Sequence, residues 1–175
     1  DNFDRSRIID MAAKIADFAI EHRVHAVLCP THLLNGPQDV WLAVDAEMCQ
    51  MLCASLDARG ANIVAIDFPL LTTYQVLLDG AARSALATHI SDLPFEYLWL
   101  RIANFGSDKS AAGFRKYINA ARDFHEIGKP IIADAIGGLP SLGIVAFGAT
   151  GGICHGVAEK ERFYPHHWSK PRAKG

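Results

Sequence analysis

The sequence predicts an α/β fold of parallel βα repeats, most simply part of a (β/α)8 barrel. An open, five-stranded, doubly wound sheet is the alternative. Three observations lead there. Short apolar runs rich in β-branched residues recur at roughly 20–40-residue spacing, as βαβ units require. Segments with helical spacing of apolar residues lie between them. Four of the five runs are near-continuous rather than alternating, which marks strands covered on both faces. The chain has 175 residues. An ordinary barrel takes about 250, so length favours the open sheet.

The elements follow in order. Residues 5–22 place Ile8, Ala12, Ile15 and Phe18 at helical spacing. Val24 to Cys29 is a short apolar run that Pro30 ends, and it reads as a strand. Asn35-Gly36-Pro37 is a turn. Gln38 or Asp39 starts a helix to about Arg59, with Gly60 as its cap. Asn62 to Asp67 is a second strand, ended near Pro69. Residues 73–90 are helical in pattern. Tyr97 to Ala103 is a third strand, followed by a loop from Asn104 to Ser107. Residues 109–127 form an amphipathic helix stopped by Gly128. Lys129 to Asp134 is a fourth strand, Gly137-Gly138 a turn, and Leu139 to Phe147 a short helix with Pro140 in its first turn. Gly152 to His155 is a fifth strand. Residues 1–160 thus read as one domain, and 161–175 as a polar and aromatic tail that lies across the barrel or meets a partner.

Composition excludes several classes. Half the residues are apolar and 21% charged, against a disordered segment. Seventeen basic and nineteen acidic residues leave no basic footprint for nucleic acid. No apolar run approaches the roughly 18 residues of a membrane span. The four cysteines, Cys29, Cys49, Cys53 and Cys154, form no zinc spacing. They read as reduced thiols, hence a cytoplasmic protein. Cys49 and Cys53 share a helix face and read as buried structural thiols. The helix-first start without an initiator Met suggests a chain cut from something longer.

One stretch carries a resemblance. It runs Lys129-Pro130-Ile131-Ile132-Ala133-Asp134-Ala135-Ile136-Gly137-Gly138, then a short helix, then Phe147-Gly148-Ala149 and Gly152-Ile153-Cys154-His155-Gly156. It resembles the last two strand units of phosphate-binding (β/α)8 barrels of the inosine-monophosphate-dehydrogenase and flavin-oxidase type. The likeness covers about 30 residues. It departs from the family pattern where Ala135-Ile136 separates Asp134 from the glycine pair, and the family's catalytic cysteine loop is not identifiable. The resemblance implies Gly137, Gly138 and Gly156 as ligand-approach positions. The plain alternative is that these glycines make tight turns.

Ligands of parallel α/β folds bind beyond the carboxyl ends of the strands. Polar residues expected there are Thr31 and His32, Asp67, Arg101 with Asn104, Asp134, and His155 with Glu159 and Arg162 beyond. Arg101 shares a phase with Trp99 and Ala103, away from the leucines. An arginine on such a strand needs either an anionic ligand or a carboxylate, Asp67 or Asp134. His32, Asp67, Asp134 and His155 are metal-ligand types, but no local spacing supports a metal.

The expectation is an enzyme acting on a small anionic, phosphorylated or nucleotide-like substrate. Asp67, Arg101, Asp134 and His155 are its catalytic set. His32, Asn104, Gly137, Gly138 and Gly156 are its binding set. Acid/base chemistry of lyase, isomerase or hydrolase type suits these groups. It suits them better than hydride transfer, since no Gly-x-Gly-x-x-Gly follows a strand, and the cofactor is unknown from the sequence. The rival expectation is a non-catalytic module, with a second copy or a partner chain completing the barrel.

Overall fold

The computed structural model describes residues 5–106, 108–155 and 163–165. It is an α/β fold with a parallel five-strand sheet curled into a half-barrel. The elements are α1 (Arg5–Glu21), β1 (Ala26–Leu28), β2 (Leu33–Leu34), α2 (Val40–Asp57), β3 (Ala65–Thr73), α3 (Tyr74–Leu78), α4 (Gly80–Ile90), β4 (Tyr97–Ala103), α5 (Ala111–Arg122), β5 (Ile131–Asp134), α6 (Leu139–Ala146) and β6 (Gly152–Cys154). A 3-10 turn, Asp123–Ile127, extends α5 up to Gly128.

Strand order follows the chain, β1-β3-β4-β5-β6, with β2 also on β3. All pairs are parallel. Successive side chains alternate between the two faces. On one face Ile66, Phe68 and Leu70 of β3 meet Leu98, Leu100 and Ile102 of β4, with Ile131 and Ala133 of β5. These residues and the buried sides of all six helices form one continuous core. Tyr117 of α5, Leu52 of α2 and Leu86 of α4 lie fully inside it.

The opposite, concave face is built in rows. The register puts Leu28, Asp67 and Tyr97 in one row. Pro69, Trp99, Ile132 and Gly152 make the next. Leu71, Arg101, Asp134 and Cys154 make the one nearest the carboxyl edge. Strand β4 therefore alternates in exposure, while β3 is buried along most of its length. Continuous burial marks β3 and, apart from Ile132, β5.

The edge strand corrects one expectation. Pairing with β3 does not end at Pro30 but resumes at Leu33. Cys29 N–H still bonds the Asp67 carbonyl at 2.8 Å. Beyond it, Pro69 has no N–H to offer this side. The Thr31 hydroxyl instead donates to the Pro69 carbonyl at 2.7 Å. One extra residue is accommodated, and the edge strand is split in two.

Pro69 also misleads about β3. It looks like a terminator, yet the strand runs on to Thr73. Residues 73–90 split as well. Asp79 is extended and caps α4, accepting from Ala82 N–H at 3.0 Å. Asp39 caps α2 by accepting from Trp41 N–H at 3.2 Å.

Candidate functional site

Arg101 and Asp134 meet at the carboxyl edge of the concave face. They are register partners on β4 and β5. Arg101 Nε donates to Asp134 Oδ2 at 2.6 Å, and Nη2 contacts the same oxygen. The Asp134 side chain is 6% exposed and that of Arg101 25%. Parallel register fixes this contact, because both side chains leave the same face at the same height. A guanidinium carries five donors. Its remaining N–H groups bond no other described residue.

Phe163 covers the pair. Its ring lies 5.4 Å from the guanidinium carbon, in cation–π geometry. It packs with Leu71 and Ala103, against Leu33 and Ala135, so it spans the mouth of the half-barrel. Its carbonyl accepts from Asn104 N–H at 2.9 Å. Asn104 follows β4 with φ at +57°, a conformation Asn tolerates well. Ala135 follows β5 with φ at +59°, which alanine adopts at a cost. Its N–H bonds the Cys154 carbonyl at 2.9 Å, which holds it there.

Gly138 caps α6 with φ at +71° and no side-chain partner. Glycine takes that conformation without penalty. Pro140 has no N–H. Both the N–H and the hydroxyl of Ser141 go to the Gly138 carbonyl. The start of α6 therefore offers an anion little beyond the Leu139 amide. Arg101 is the stronger cationic feature of this edge. Gly137 is buried beside it, and His155 is exposed directly after β6. Gly156, Glu159 and Arg162 lie outside the described residues, as do His166, His167 and Trp168.

Asp67 departs from the expected common edge. It is the third residue of β3, four positions below Leu71, the register partner of Arg101. At about 3.3 Å per residue that is roughly 13 Å from the Arg101 row. Its Oδ2 accepts from Trp99 Nε1 at 3.0 Å. Its Oδ1 is buried with no hydrogen-bond partner among the described residues. Burial pushes its carboxyl above the ordinary range. Glu96 adds to that rise, and the indole N–H opposes it.

His32 is anchored elsewhere. Its backbone N–H donates to Asp45 Oδ2 at 3.0 Å, and Nδ1 lies 2.6 Å from Oδ1. Asp45 is a fully buried residue of α2. Burial raises its carboxyl, and the two His32 bonds oppose that. Trp41 stacks on the imidazole at 4.1 Å between centroids. So His32 belongs to the seam between the edge strand and α2. The signal for this was an aspartate inside the apolar stretch Val40 to Met48, which needs a partner when buried.

All four cysteines are free thiols. Cys49 is fully buried and Cys53 half-buried, so the shared helix face holds one core thiol and one marginal one. The neighbour of Cys49 is Cys29. Cys29 acts as the thiol donor toward Cys49, which with burial pushes the Cys29 thiol far up and draws Cys49 down. Among the described residues, no group of three or more His, Cys, Asp or Glu could hold a metal ion. No helix among them is long and apolar enough to cross a membrane.

Fold and site together define the class: a parallel α/β half-barrel with a polar carboxyl edge centred on an Arg–Asp pair. No family model, no curated protein and no solved structure matches the chain.

Proposed function

We propose that this is an enzyme of the partial (β/α)8 type that binds a small anionic, phosphorylated or nucleotide-like substrate at the carboxyl edge of its sheet. One observation carries the reading. Arg101 is oriented by Asp134 on the concave face, with guanidinium donors that no other described residue uses. A half-buried, oriented guanidinium suits a carboxylate or phosphate. Asp134 stands beside that anion as base, and His155 as the acid/base partner beyond β6. Asp67 is too far down the face to join them.

The barrel assignment rests on the strand order. A doubly wound sheet reverses its order at a switch point and covers both faces with helices. Here the order is sequential, and the six helices share one core. Four free thiols favour a reducing, cytoplasmic setting.

Titration calorimetry with inorganic phosphate and with succinate tests the reading. Wild type is expected to bind at least one of them, and Arg101→Met to bind neither while keeping its fold. No binding to wild type, or equal binding to the variant, sinks it.

A second reading, a module whose open face a partner chain or second copy covers, has its own observation. Leu28 and Tyr97 flank Asp67 in one row and are 46% and 43% exposed. Apolar side chains beside an unpaired buried oxygen suit an interior surface. A monomer by light scattering at high concentration counts against it.

A further inference from the structure

We propose that the groove between α5 and α6 docks an acidic amphipathic helix of a partner protein. The groove has a volume of about 590 Å³. Its floor is Phe114 and Ile118 of α5 with Pro140 and Phe147 at α6. Its rim is Lys109, Arg115 and Arg122, and among the described residues no acidic side chain lines it. Lys109 lies over the Tyr74 ring, and Arg122 donates to the Phe147 carbonyl. Arg115 has no carboxylate partner among the described residues. The lining thus asks for apolar side chains carrying negative charge around them.

Helix α6 says how large the occupant is. Its sequence, Leu-Pro-Ser-Leu-Gly-Ile-Val-Ala, has one polar side chain, and Ser141 is buried. A helix that is apolar all round is ordinarily buried all round. Here Leu139 is 82% exposed and Phe147 65%. Leu139, Gly143 and Phe147 repeat at four-residue spacing, so they lie along one stripe. A small amphiphilic carboxylate fits the cavity but leaves Leu139 in water. A helix laid along the groove covers the whole stripe, the usual mode of an amphipathic helix in an apolar groove.

Gly143 is the second pointer. Glycine weakens a helix interior. A Cβ placed there would meet nothing within 4 Å among the described residues. Packing inside the chain therefore does not call for glycine, whereas close approach of a second helix does. A second copy of this chain is a poor occupant. Of the three acids of its helix α1, Asp10 and Asp17 are already paired with Lys14 and Arg59, which leaves only Glu21, at the helix end, for three rim cations.

The test titrates the full chain into a fluorescein-labelled Leu/Glu amphipathic peptide and reads anisotropy. Saturable binding is expected, weakening with added salt. Arg115→Glu and Gly143→Leu should each weaken it at least about tenfold. The second variant removes a helix glycine and fills open space, so its melting temperature should hold or rise. The proposal is overturned if the peptide does not bind or if a Leu/Lys peptide binds as well. Unchanged affinity in folded variants overturns it too. So does binding of dodecanoate without the peptide, which would make the groove an amphiphile pocket.

Discussion

Trp99 and Asp67 are joined across β4 and β3 by one hydrogen bond, indole Nε1 to Oδ2 at 3.0 Å, while Oδ1 stays buried with no partner among the described residues. The carboxyl is therefore poorly solvated as an anion, and its folded value lies above the unfolded one. The folded state binds the extra proton. Stability then falls as pH rises from below the unfolded value, about 3.9, through the raised folded value. Asp67→Asn removes that slope. Urea melts of wild type and variant between pH 3 and pH 8 should show wild type losing ground to the variant as pH rises. Parallel pH profiles would contradict the environment described for Asp67.

Breaking the Arg101–Asp134 pair has a different signature. Arg101→Met leaves a carboxylate that is 6% exposed without its cation. The expected loss is roughly 2–4 kcal/mol. Replacing both, Arg101→Met with Asp134→Leu, should recover most of it, because two apolar residues need no partner. A double variant no more stable than the single one in denaturant melts contradicts this.

Tyr117 gives the opposite sign. Its hydroxyl is buried in the core with no partner among the described residues. Burial, and Asp134 after it, push its pKa up, so it is a neutral phenol at ordinary pH. Tyr117→Phe removes an unsatisfied group and keeps the ring stacked on Phe105. Stability should hold or rise by up to about 1 kcal/mol. A clear fall in melting temperature would show that the hydroxyl has a partner.

Asp45 holds two donors of the edge strand's second half. Asp45→Ala leaves the His32 amide and imidazole without their acceptor. A loss of about 1–3 kcal/mol is expected. Hydrogen exchange should quicken at Leu33 and Leu34, the residues His32 leads into. Unchanged exchange there would detach His32 from the integrity of the edge.

Much of the architecture was legible from the periodicity alone. Tyr97 to Ala103 is a strand with those bounds. Its alternation correctly put Arg101 on the face opposite the leucines. The misses trace to prolines and one aspartate. Pro30 and Pro69 look like stops because each lacks a donor. Cys29 N–H, just past β1, bonds the Asp67 carbonyl, and the Thr31 hydroxyl reaches the Pro69 carbonyl, so pairing passes around both prolines. The helical pattern of 73–90 runs across Asp79-Gly80, but Asp79 caps α4 by accepting from Ala82 N–H, which breaks it in two. The Arg101–Asp134 contact was one of two carboxylate partners in view, and only register could choose between them. The Trp99–Asp67 bond had no local signal, because it joins strands 32 residues apart.

The sequential strand order bears on how the molecule is made. From β3 on, each new strand joins the outer side of the one before it, and none is inserted between two earlier neighbours. The sheet can therefore grow at a single advancing edge as the chain leaves the ribosome, amino end first. Each βα unit docks on a template already in place. A nascent chain that has emerged only as far as Arg122 already holds both strands of the longest ladder, β3 with β4, and waits on nothing downstream to pair them.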